Sequence, residues 1–211
     1  MNVLLIGDSI RMFYEKDVES RLGDGYDIYA PEENCRFSSY VLNSLRFWLT
    51  KYPSPDIIHF NAGLWDTAIL YAEDGCFIGI DEYVKNMKKI IRVLKSTGAK
   101  VIFATTTPVS DEKHNLVGPM PPAHRNEDIV RYNAAVLNAF KNEDIFVNDL
   151  FSIMYDKKEL YLSEDMIHPN EKGVELLGNA VAQAILNCPV SEGEHSVQKS
   201  EYIEFNEKTI Q

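Results

Sequence analysis

Asn2-Val3-Leu4-Leu5-Ile6-Gly7-Asp8-Ser9 opens the chain with four consecutive aliphatic residues that stop at a glycine–aspartate turn. An unbroken Val/Leu/Ile run bounded by turn residues reads as a strand buried on both faces, as a parallel sheet requires. Arg11 to Leu22 follows as a helix, so the first unit is strand, turn, helix. The unit then recurs. Tyr26 to Tyr29 forms a second strand, ended by Pro31. Ser38 or Ser39 caps a helix with Val41, Leu42, Leu45 and Leu49 on its apolar face. Asp56 to Asn61 is the third strand, with a loop through Gly79. Asp81 caps a helix bearing Val84, Met87, Ile91 and Leu94 at three- and four-residue spacing. Lys100 to Thr105 is the fourth strand, stopped by Pro108, and a polar, proline-rich loop covers Ser110 to His124. Asn126 caps a helix carrying Ile129, Asn133, Val136, Leu137 and Phe140. Ile145 to Val147 is the last strand, and Asn170 caps a helix with Val174, Leu177, Val181 and Ile185.

Five strands alternating with helices predict an α/β chain of three layers, α/β/α, around a parallel five-stranded sheet. Ligands bind such sheets outside the carboxyl ends of the strands. Ser9 ends the first strand and Asn61 the third. The segment Asp165-Met166-Ile167-His168-Pro169 precedes the last helix, so it falls on the same edge. A serine hydroxyl needs an imidazole to take its proton and a carboxylate to orient that imidazole. Ser9, His168 and Asp165 supply all three. Either motif alone reads as a helix cap or tight turn; their convergence on one edge points to hydrolytic chemistry.

Those two motifs, Leu5-Ile6-Gly7-Asp8-Ser9-Ile10 and Asp165-Met166-Ile167-His168-Pro169, resemble the first and last sequence blocks of the SGNH/GDSL hydrolases. The resemblance spans residues 2 to 187 and implies a flavodoxin-like esterase fold. It makes Ser9 the nucleophile and an oxyanion donor through its N–H, with His168 as base and Asp165 as its orienter. The middle blocks depart from the family pattern. Where a third block reads Gly-x-Asn-Asp, this chain has Gly63-Leu64-Trp65-Asp66, with Trp65 in place of the amide donor. Glu33-Asn34-Cys35-Arg36-Phe37-Ser38 lacks the second-block glycine. Asn61 is the candidate replacement amide, its alternative being a cap on the turn into Gly63. A backbone N–H at Cys35 or Arg36 is the candidate replacement for the glycine.

Arg11 and Arg36 are candidate substrate contacts or, beside acidic residues, structural ion pairs. Trp65 is either a platform for a sugar ring or a core residue. His59, inside an apolar strand, reads as a core histidine, and His114 and His124 as solvated residues of a loop that covers the site. No metal-ligand pattern and no Gly-rich phosphate loop is present, so neither metal nor cofactor is expected.

At 211 residues with no internal composition break, residues 1–188 form one expected catalytic domain and 189–211 a polar extension. A domain of this size buries about 70% of its unfolded surface and needs no disulfide. The three cysteines, Cys35, Cys76 and Cys188, are expected to be reduced thiols. A formal charge of -11 argues against nucleic acid and anionic membranes, whose phosphates require a basic footprint. With no basic flank before the first apolar run, a cytoplasmic location is expected. The expected partner is a small acyl ester, neutral or cationic, with an O-acetylated sugar first. A short-chain acyl ester or thioester is the same-class alternative, and a non-catalytic binding module the alternative of another class.

Overall fold

The computed structural model describes residues 1–70, 75–110 and 123–189. Its strands are β1 (Asn2–Ile6), β2 (Asp27–Tyr29), β3 (Ile57–Phe60), β4 (Lys100–Ala104) and β5 (Phe146–Asn148). They form one parallel sheet in the order β2-β1-β3-β4-β5, the doubly wound flavodoxin-like order. Between and after them run α1 (Ser9–Leu22), α2 (Ser38–Lys51), α3 (Ile80–Lys95), α4 (Asn126–Phe140), the short α5 (Leu150–Tyr155) and α6 (Lys158–Tyr161), and α7 (Glu171–Leu186). The expected three layers are present. No helix among the described residues is long and apolar enough to cross a membrane.

Strand alternation sorts the core into two halves. Val3 and Leu5 of β1 face α1, α5 and α7, where Tyr14, Val18, Leu177, Val181 and Ile185 are buried. Leu4 and Ile6 face α2, α3 and α4, among Val41, Leu45, Trp48, Met87, Ile91 and Val136. Each half joins one face of the hydrophobic sheet to amphipathic helices, so burial from two sides selects this register.

The pair α1 and α7 makes the most extensive helix–helix contact. Both helices begin at the carboxyl edge of the sheet and run away from it side by side. Gly178 permits their approach, since a Cβ there would lie 2.1 Å from Asp17 Oδ2 and 2.9 Å from Asp17 Cβ.

Several helix starts differ from the sequence reading. Asp8 caps α1, its Oδ1 accepting from Ile10 N–H at 3.0 Å, so the helix begins at Ser9 rather than Arg11. Phe37 occupies the cap position of α2, because Ser38 is drawn into a buried bond with Asp66. Gly79 rather than Asp81 precedes α3, and Arg125 rather than Asn126 precedes α4. Asn126 instead clasps the chain after β4, accepting from Val109 N–H at 3.1 Å and donating to Val109 O at 2.7 Å. Asn170 caps α7 as expected, accepting from Gly173 N–H. The sequence reading passed over α5 and α6, which are too short to show a helical repeat. The C-terminal extension from 190 onward and His114 lie outside the described residues.

Candidate active site

Ser9, Asn61 and the Asp165–His168 loop meet at the carboxyl edge of the sheet. Gly7 ends β1 and leaves room for Arg11, whose Cβ would lie 2.7 Å from a Cβ at Gly7. Asp8 then caps α1, and Ser9 becomes the first helical residue. Its N–H therefore has no intrahelical acceptor, and it points along the positive end of the helix dipole.

The last loop is tightly tied. Ser163 N–H donates to His168 O at 2.7 Å, Met166 N–H to Ser163 O at 3.0 Å, and Leu162 pairs with Pro169. Met166 has φ 64°, a left-handed conformation that disfavours a side chain, and its carbonyl accepts from Ser110 N–H at 3.0 Å. Asp165 is held from several directions. Its Oδ1 accepts from Ser163 Oγ at 2.8 Å, Ile167 N–H at 3.0 Å and His168 N–H at 2.9 Å. Its Oδ2 lies 2.6 Å from His168 Nδ1. Partial burial opposes the charged carboxylate, but the bonds from His168, Ile167 and Ser163 outweigh it and hold Asp165 well below the ordinary carboxylate range.

His168 Nε2 lies 2.8 Å from Ser9 Oγ. With Nδ1–H directed at Asp165, Nε2 carries the lone pair and faces the Ser9 hydroxyl. Carboxylate, imidazole and hydroxyl thus form one hydrogen-bonded chain from residues up to 159 positions apart in sequence, Ser9 and His168 being the extremes. This is the arrangement that raises a serine hydroxyl to a nucleophile at neutral pH.

The second-block candidates are placed otherwise. Cys35 N–H donates across to Gly7 O, just after β1, at 3.2 Å, and Arg36 N–H donates within its own loop to Asn34 Oδ1 at 2.8 Å, so both expected oxyanion donors are engaged. Cys35 is fully buried, and burial pushes its thiol up to about 11. Arg36 is nonetheless the left-handed residue of this loop, with φ 52°, a conformation that glycine adopts most readily. Its exposed guanidinium lies 5.3 Å from the centre of the Tyr40 ring.

Arg11 is a clamp for that loop rather than a group facing substrate. It is buried, donates from Nη2 to Pro31 O and Glu33 O at 2.9 Å each, and pairs through Nη1 with Glu15. Glu33 in turn accepts from Trp48 Nε1 at 2.8 Å. The ion pair expected of Arg11 beside an acidic residue is formed with Glu15.

Asn61 continues the β3 ladder, its N–H donating to Ile6 O at 2.9 Å. Its side chain does not cap the turn into Gly63; Nδ2 donates to Ala104 O at 2.9 Å. That bond fixes the amide and uses one of its two protons. Asn61, Asp8, Arg11, Leu64 and Thr107 line a small cavity of about 10 Å³.

Gly63 is required by packing, because a Cβ would lie 2.1 Å from Thr106 Oγ1. Trp65 is 38% exposed, which excludes the core-packing alternative. Asp66 was not foreseen as structural. It accepts from Ser38 N–H at 3.0 Å and from Ser38 Oγ at 2.5 Å, fastening the third block to the start of α2.

Two buried carboxylates stand behind the site. Burial raises Asp8 to about 6, opposed by Ile10 N–H and the nearby His168 and Arg11 charges. Burial also raises Asp66 to about 6, against its bonds from Ser38 and reinforced by Asp8. His59 is a core histidine as expected, 3.2 Å from Asn148 Nδ2 and lowered to about 3 by burial. His124 is buried rather than solvated.

No protein-family model and no curated protein matches the chain. Solved structures do. The acetyl xylan esterase AlAXEase superposes with a TM-score of 0.71 at 19% identity, over 88% of this chain and 100% of its own. A lipase/acylhydrolase from Enterococcus faecalis gives 0.72 at 17% identity, over 91% and 99%. A GDSL-like lipase from Bacteroides thetaiotaomicron gives 0.67 at 20% identity, over 88% and 87%. The chain therefore has the α/β/α fold of the SGNH/GDSL acylhydrolases.

Proposed function

We propose that this chain is a serine esterase that removes a small acyl group, acetyl first, from a carbohydrate through an acyl-enzyme. The observation that carries the reading is the unbroken bond sequence Asp165 Oδ2, His168 Nδ1, His168 Nε2, Ser9 Oγ. His168 takes the Ser9 proton as Oγ attacks the ester carbonyl. Ser9 N–H and the second Nδ2 proton of Asn61 receive the developing oxyanion. His168 then returns the proton to the leaving alkoxide, and water, deprotonated by the same imidazole, releases the carboxylic acid.

Asp165 holds the tautomer and stabilises the imidazolium. Exposed Trp65 and Arg36 supply a stacking face and a donor suited to a sugar. The fold shared with an acetyl xylan esterase supports the acetyl–carbohydrate assignment. Treatment with a fluorophosphonate and mapping of the adduct by mass spectrometry is expected to label Ser9, with no label in Ser9→Ala. Labelling elsewhere removes Ser9 as nucleophile, and absence of labelling favours a binding module of the same fold. A panel of acyl esters, thioesters and acetylated sugars then ranks the substrate classes.

A further inference from the structure

We propose that Phe13 is a positioning residue for His168, holding its imidazole face-on and stabilising the protonated form; this rests on the reading of His168 as the base. Phe13 follows Ser9 by four residues on α1, so the two side chains share one face of the helix on successive turns. The Phe13 ring centre lies 5.1 Å from that of His168, with the planes inclined by only 28°. One helix therefore supplies both the hydroxyl and the surface on which its proton acceptor rests.

Core packing does not account for this side chain, which is 47% exposed. The imidazole, meanwhile, is bonded only through its edge, Nδ1 to Asp165 and Nε2 to Ser9. Edge bonds leave the ring face unsupported, and a stacked phenyl ring opposes the tilt that would carry Nε2 off the hydroxyl.

The same contact acts on charge. When His168 accepts the Ser9 proton, the imidazolium lies over the negative face of the phenyl ring and within the roughly 6 Å range of cation–π attraction. The positive charge exists only after proton transfer, so this stabilisation favours the transition state over the resting enzyme. Two carboxylates act on the same imidazole: Asp165 by direct bond and Asp8, at the start of α1, through space. Phe13 adds a contribution that does not titrate.

The test compares Phe13→Leu and Phe13→Tyr with the unmodified protein. Loss of the ring is expected to lower kcat about two- to fivefold, the span of an exposed cation–π contact, with less change in KM. The acid limb of the pH–rate profile is expected to move to lower pH, because the imidazolium forms less readily without the ring. Phe13→Tyr, which keeps the aromatic face, is expected to restore both. The His168 Cε1–H proton resonance should move downfield in Phe13→Leu, as the ring current is lost, and stay in place in Phe13→Tyr.

An unmoved resonance in Phe13→Leu overturns the stack. A moved resonance with unchanged kcat and acid limb overturns the positioning role. The resonance comparison needs no turnover. Failure of the esterase reading, seen as full activity in Ser9→Ala, therefore registers separately.

Discussion

The two sides of Ser9 are assembled by different means. Toward His168, side chains do everything: a hydroxyl, an imidazole and a carboxylate bond end to end, and the short loop from Ser163 to Pro169 satisfies its own backbone around them. Toward the second and third blocks, the family pattern relies on backbone and amide donors, and here those positions are reassigned. Cys35 spends its N–H on Gly7 O and Arg36 on Asn34 within the loop, Trp65 is turned to the surface, and Asn61 presents an amide already anchored to Ala104. In the proposed mechanism the proton-moving side requires an imidazole, the side chain whose ordinary charge change falls near neutrality. An oxyanion accepts a hydrogen bond from any well-aimed donor, so this side is free to change its residues.

His168→Ala breaks the first side and is expected to cost at least about 1,000-fold in kcat, since it removes the base in both half-reactions. Asp165→Ala should cost distinctly less, because the imidazole remains. Equal losses in steady-state assays would mean that Asp165 does more than orient. On the other side, Asn61→Ala is expected to lower kcat roughly 100-fold with KM and folding nearly unchanged, the effect of one lost oxyanion donor. A loss under threefold in a folded variant would move the oxyanion role elsewhere.

Gly63→Ala tests whether the reassigned side is held by packing. A Cβ forced against Thr106 should destabilise the fold by about 1–3 kcal/mol in a urea titration, and an unchanged midpoint would refute that constraint.

The smallest effect belongs to Asp8. Its folded value of about 6 stands above the ordinary 3.8, so burying its charge costs stability increasingly as pH rises from about 4 to 6. Asp8→Asn keeps a cap for Ile10 N–H and removes that charge. It should gain stability, read as a higher Tm, at pH 7. The gain should shrink toward pH 4; a gain equal at both pH values would contradict the assignment to Asp8.

The five-stranded parallel sheet and the meeting of Ser9, His168 and Asp165 were legible because they follow from periodicity and from which sheet edge each motif ends on. Helix starts were less so. Ser38 and Asn126 are good cap residues by type, yet each found a stronger bond across the fold, with Asp66 and with Val109. Arg11 shows the same limit, since its carbonyl acceptors at Pro31 and Glu33 lie 20 and 22 residues away and leave no local pattern. Phe13 did leave one, an aromatic four residues after the serine on a helix that offers it no core.

Gly178 and Asp17 touch eight residues below the tops of their helices, about 12 Å from the edge where Ser9 and Asn170 stand. Geometrically the two helices are the legs of a pair of dividers, joined near the middle and carrying Ser9 at one tip and the histidine loop at the other. Above the joint, the groups at those tips, Ser9 Oγ and His168 Nε2, stand 2.8 Å apart. Any side chain inserted at Gly178 acts as a wedge, opening or tilting the tips while leaving every group at them chemically intact. A remote change of one methyl group would then read in assays as a slower reaction with unaltered substrate affinity, the signature of a gauge thrown out of adjustment rather than of a missing part.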